Sequence, residues 1–131
     1  MNSTQILRTF NTQLSDFLED IAHVFPENSD ILTTQTIIQQ TKKINPSLII
    51  NIWFTYVHIP YGEHINNNEL SFFIDKDYKD DLKYISDNNT ILESIDKIKQ
   101  PIKSMDDKNK DTAMKYIKNL TKLSEIFISL K

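Results

Sequence analysis

The run NPSLIINIWFTYVHIP, residues 45–60, admits two readings. Leu48, Ile49, Ile50, Ile52, Trp53, Phe54, Tyr56 and Val57 make it apolar on nearly every side. Its β-branched content suits a buried strand. The helical reading is the better one. Asn45-Pro46 has the form of an N-cap followed by proline at the first helical position, where the missing N–H costs nothing. No other segment alternates with period two, so a lone strand would have no partner to pair with. A helix that is apolar all round belongs at the centre of a bundle. The expectation is a central helix over about 46–58, ended by Pro60, with Gly62 making the turn that follows.

The flanking sequence supplies helices to surround it. Ile6, Leu7, Phe10, Leu14, Phe17, Leu18, Ile21, Val24 and Phe25 recur at three- and four-residue steps. They predict a helix over about 4–25, capped by Ser3 or Thr4 and stopped by Pro26. ENSD then caps a second helix, about 30–44, with Ile31, Leu32, Ile37, Ile38, Thr41 and Ile44 inward. Tyr78, Leu82, Tyr84 and Ile85 suggest a short helix. Another starts at Thr90 and should kink or break near Gln100, ahead of Pro101. Asp106 or Asp107 caps the last, about 108–130, with Ala113, Tyr116, Ile117, Leu120, Leu123, Phe127 and Leu130 inward and Ile126 partly so. The expected fold is an all-α, single-domain helical bundle of about five to six helices spanning 1–131.

Composition narrows the function classes. The chain has 131 residues, no Cys and one Gly. Without cysteine there is no disulfide, thiolate metal site or cysteine nucleophile. With one glycine, Rossmann and P-loop phosphate cradles are disfavoured. No run approaches the ~20 apolar residues of a membrane span, and MNSTQILRTFNTQL lacks the apolar region of a signal peptide. A soluble, intracellular protein without a membrane segment is expected. Of 15 basic residues only Arg8 is an arginine, and Lys, Ile and Asn are abundant, as in an A/T-rich genome. The net charge is −3, with acids concentrated over 61–96 and lysines over 97–131. These two blocks can pair within the fold or with a partner.

Residues 59–78, IPYGEHINNNELSFFIDKDY, hold the features closest to chemistry. His58 and His64 with Glu63 offer metal or acid–base groups, but Pro60 and Gly62 interrupt any fixed spacing. DKDYKDD resembles a calcium loop, yet lacks the glycine at the sixth position and has Ser86 in place of the twelfth-position glutamate. No nucleophile motif is present. No catalytic residue, metal or cofactor is therefore assigned. The preferred reading is a fastening between the central helix and the acidic turn, or a protein-interaction surface, made by Tyr61, Phe72, Phe73, Asp75, Asp77 and Tyr78. Lys115, Lys118 and Lys122 share one flank of the last helix, with Lys97, Lys99 and Lys103 before them. Such a stripe can meet nucleic-acid phosphates. The near absence of Arg and of interleaved aromatic residues makes this the second reading.

In order, FNTQLSDFLEDIAHVFPENSDI, NPSLIINIW, PYGEHINNNELSFFIDKDY, PIKSMDDKNK and KYIKNLTKLSEIF resemble small uncharacterised all-helical proteins of nucleocytoplasmic large DNA viruses, the giant viruses. The resemblance covers most of the chain and brings no catalytic residues with it. The chain departs from that pattern at Gly62-Glu63-His64, which weakens any His-based role. The resemblance implies a viral protein of the host cytoplasm or viral factory, with packaging in the virion a further option. The functional expectation is a non-enzymatic interaction protein acting through a protein partner or by self-association. The alternative is a nucleic-acid-binding accessory protein that uses the lysine stripe.

Overall fold

The computed structural model describes residues 2–75 and 89–131, and its regular structure there is entirely helical. Helix α1 runs Ser3–Val24. Its cap is Asn2 rather than Ser3 or Thr4. Asn2 Oδ1 accepts from the Gln5 N–H, and Gln5 Oε1 accepts from the Asn2 N–H, each at 2.9 Å. This reciprocal box satisfies two orphan donors where a lone hydroxyl would satisfy one. Helix α2, Ser29–Ile44, is capped by Asn28. Leu32 and Ile44, expected inside, are exposed, and Thr34 is buried in their place.

The central rod begins two residues later than Asn45-Pro46 suggested. Asn45 closes α2, its N–H donating to Thr41, and helix α3 is Leu48–Trp53. Pro60 does not end this rod. A π-helical turn, Phe54–His58, leads straight into helix α4, Ile59–Asn66, with Pro60 in its first turn. Proline has no N–H and its ring crowds the carbonyl four residues back. The rod absorbs this by widening: the Ile59 N–H donates to the Phe54 carbonyl, five residues back.

Nor does Gly62 make the turn. It lies inside α4, and no glycine has positive φ. The turn is made by Asn68, at φ 64°. The Glu69 N–H donates to the His64 carbonyl and the Asn68 N–H to the Ile65 carbonyl. This is a Schellman motif, with asparagine in the left-handed position that glycine usually fills.

Helix α5, Leu70–Ile74, follows. Helix α6 is Asn89–Lys103 and carries Pro101 in its last turn, so the helix ends two residues beyond the proline rather than before it. Helix α7 is Asp107–Ser129, capped by Asp106, whose side chain accepts from the Asn109 N–H at 2.9 Å. Its buried side includes Met114 as well as the expected Ala113, Ile117, Leu120 and Phe127, whereas Leu130 is exposed. The short helix expected around 78–85 lies outside the described residues.

α1 pairs with α2 on one side and α7 on the other, and α2 packs on α6. α3 touches all four of these helices. Its Ile49, Ile50 and Trp53 are fully buried, the central position its all-round apolarity predicted. Trp53 is tied to α7 by a hydrogen bond from its indole Nε1–H to Thr121 Oγ1 at 3.0 Å. Phe10 and Phe73 pack against its ring, with centroids 6.0 and 6.2 Å away. No helix among the described residues is long and apolar enough to cross a membrane.

Candidate functional site

A solvent-open cleft of about 330 Å³ separates α4 from α7. It is lined by His58 at the end of the π-helical turn, by Gly62, Glu63 and Ile65 of α4, and by Lys118, Thr121, Lys122 and Glu125 of α7. Gly62 is there for close approach, not for a turn. A Cβ on it would stand 2.8 Å from His58 Nδ1. The imidazole stacks on Phe54, centroids 5.0 Å apart, and its Nδ1 is buried without a hydrogen-bond partner.

The cleft rim is of mixed charge. Lys122 Nζ and Glu125 Oε2 stand 3.7 Å apart. Lys118 Nζ donates to Asn68 Oδ1 at 3.1 Å, which ties α7 to the Schellman turn. Ile59, 65 % exposed, precedes Gly62 and Glu63 by three and four residues and so shares their face of the helix.

The residues singled out in 59–78 divide between core and surface. Phe73 is fully buried. Its ring meets the Trp53 ring and the Tyr61 ring, the latter edge-on at 6.5 Å, and Lys99 Nζ lies 4.9 Å from its centroid. Tyr61 and Phe73 therefore clasp α4 to α5 over the central tryptophan. Asp75 Oδ1 pairs with Lys103 Nζ at 3.0 Å, a link between the acidic middle and the basic end made within the fold. The side chain of Phe72, together with Asp77, Tyr78 and most of the DKDYKDD segment, lies outside the described residues.

The two imidazoles of this region face different ways. His58 lines the cleft, whereas His64 Nδ1 lies 2.9 Å from Glu69 Oε2, bracing the Schellman turn. Among the described residues, no three His, Asp or Glu side chains gather to hold a metal ion.

The lysine stripe is also divided. Lys99 is buried, only 3 % exposed, with Asp96 Oδ1 3.7 Å away. Lys118 and Lys122 line the α4–α7 cleft. Lys110, Lys115 and Lys118 line a neighbouring open groove of about 670 Å³, which also contains Asp107 and Asp111. The cleft itself was missed by the sequence reading. The signal was there in Gly62 four residues after His58, a helical spacing that only a continuous rod through Pro60 would reveal.

On the opposite side of α7, Tyr116 stacks on Phe17, centroids 5.1 Å apart, and donates to Asp20 Oδ2 at 2.9 Å. Burial first, then the Asp20 carboxylate that accepts its proton, push the phenol up to about 12.

No protein-family model, curated protein or solved structure matches the chain.

Proposed function

We propose that the protein is a non-enzymatic helical interaction protein that engages a protein partner across the α4–α7 face. The observation behind this reading is the cleft with its mixed-charge rim of Glu63, Lys122 and Glu125, next to the exposed Ile59. An apolar side chain flanked by charges of both signs suits the edge of a protein interface, where shape and paired charges select the partner. A surface carrying both signs is also able to meet a second copy of itself. The viral origin, and action in the host cytoplasm, viral factory or virion, belong to the same proposal. They rest on the sequence resemblance and on the Lys-, Ile- and Asn-rich composition.

The test compares wild type with an Ile59→Asp, Lys122→Glu variant, both checked for retained helicity. Chemical cross-linking in lysate should join Lys118, which both proteins keep, to one defined protein, or to another copy of the chain. The variant should lose that cross-link. An equal yield from the variant would remove this face from consideration.

The nucleic-acid reading is favoured by one observation, the convergence of Lys110, Lys115 and Lys118 on a single groove. Asp107 and Asp111 in the same groove oppose it, because they repel phosphate. It predicts binding that falls steeply with salt and is lost in Lys115→Glu, Lys118→Glu.

A further inference from the structure

The corner between α2 and α3 carries Ile44, 85 % exposed and the most exposed large apolar side chain among the described residues. The corner is held in place. Asn11 Nδ2 of α1 donates to the Pro46 carbonyl at 3.0 Å, and Lys42 Nζ, two residues before Ile44, donates to Ser15 Oγ at 2.8 Å. Arg8 of α1 lines a shallow groove together with Lys42 and Pro46. α7 finishes at the same end of the bundle, where Lys131 Nζ donates to Asn51 Oδ1 of α3 at 3.3 Å and Leu130 is 48 % exposed.

A single exposed isoleucine is ordinary on a protein surface. The charge around this one is not. Residues 2–12, 38–51 and 126–131, which build this end, contain Arg8, Lys42, Lys43 and Lys131 and no Asp or Glu. They carry +4, against −7 for the rest of the chain and −3 overall. The first acids met from this end are Asp16 along α1, Glu93 along α6 and Glu125 along α7. Such a separation of charge turns this end toward an anionic surface and the acidic remainder away from it.

We infer that this end docks on an anionic lipid surface. Ile44 enters the boundary between headgroups and acyl chains, and Arg8, Lys42, Lys43 and Lys131 meet the headgroup phosphates. Lysine suits that depth, because its stem lies along apolar surface while its ammonium stays in water. Nucleic acid would meet the cations but gives Ile44 and Leu130 nothing to bury against. The contact is peripheral, since no described helix is long and apolar enough to cross a membrane. This end shares no residue with the α4–α7 cleft, so either contact stands if the other fails.

The probe is sucrose-loaded vesicles of phosphatidylcholine with about 30 % phosphatidylserine, pelleted with the full chain in about 0.1 M salt. The protein should pellet with them, half-bound at roughly 0.1–1 mM lipid, and stay in solution with phosphatidylcholine alone. Arg8→Gln with Lys43→Gln should weaken binding at least about tenfold, and Ile44→Asn at least about fivefold. Lys108→Gln with Lys115→Gln, the same change of charge in the first half of α7, should leave binding within about twofold. Circular dichroism checks that each variant keeps its helicity. Absence of pelleting, equal binding to phosphatidylcholine alone, or an equal loss from the Lys108 and Lys115 variant would each overturn the assignment. Full binding by Ile44→Asn would overturn it too, because a purely ionic contact suits an acidic polypeptide as well as a lipid.

Discussion

Asn68, Gly62 and Tyr116 each hold a conformation or charge state that one substitution can expose. At φ 64° a side chain with a Cβ is strained by about 1–2 kcal/mol, and asparagine eases this by local hydrogen bonding. Urea melts should therefore rank Asn68→Gly as neutral to slightly stabilising and Asn68→Ala as destabilising by about 1 kcal/mol. Gly62 gives the opposite lesson, because its φ is ordinary and the restraint is the His58 ring 2.8 Å from where a Cβ would stand. In a His58→Ala background, Gly62→Ala should stabilise by about 1 kcal/mol through helix propensity. With His58 present most of that gain should vanish. Equal effects in both backgrounds would disprove the close-approach role. For Tyr116, the folded phenol titrates near 12, above the value of about 10 in an unfolded chain. The native state then binds more protons than the unfolded state between these values, so its contribution is complete below pH 10 and is lost as pH rises to 12. The difference in stability between wild type and Tyr116→Phe should be flat below pH 10 and shrink above it.

Elements are joined by two contacts of different kinds. The Trp53–Thr121 hydrogen bond fastens the central rod to α7 in a fully buried setting. Thr121→Val keeps the shape but leaves the indole N–H without an acceptor, a loss of about 1–3 kcal/mol, whereas Thr121→Ser should cost much less. Phe73 fastens α5 over the same tryptophan. Phe73→Ala should cost about 3–5 kcal/mol as a core truncation, with a change in Trp53 fluorescence as its ring loses a neighbour. Element types were legible because apolar spacing is a local signal: α1, α2 and α7 stand within two residues of their predicted bounds. Pro60 and Gly62 were misread because both are usual punctuation marks, and only packing reveals a π turn that carries the helix past them. Asn68 was passed over for the same reason, since a run of three asparagines, Asn66 to Asn68, does not say which one turns left-handed.

At the scale of the whole molecule, the bundle is centred on one apolar rod, and the fastening of that rod to its neighbours uses up much of what looked like site chemistry. Phe73 and Lys99 are buried, and Asp75 is paired. Among the described residues, the α4–α7 face and the groove beside it stay open to partners. The cleft on that face was not legible as a site, because it joins segments far apart in sequence, His58 with Lys122. The central functional claim is that this surface meets protein rather than nucleic acid. The most direct test is capture of the tagged protein's partners from host-cell or infected-cell lysate, with and without nuclease, for wild type and the Ile59→Asp, Lys122→Glu variant. A defined protein that survives nuclease and is lost with the variant is the predicted result. Partners that vanish with nuclease, and that persist on the variant, would contradict it.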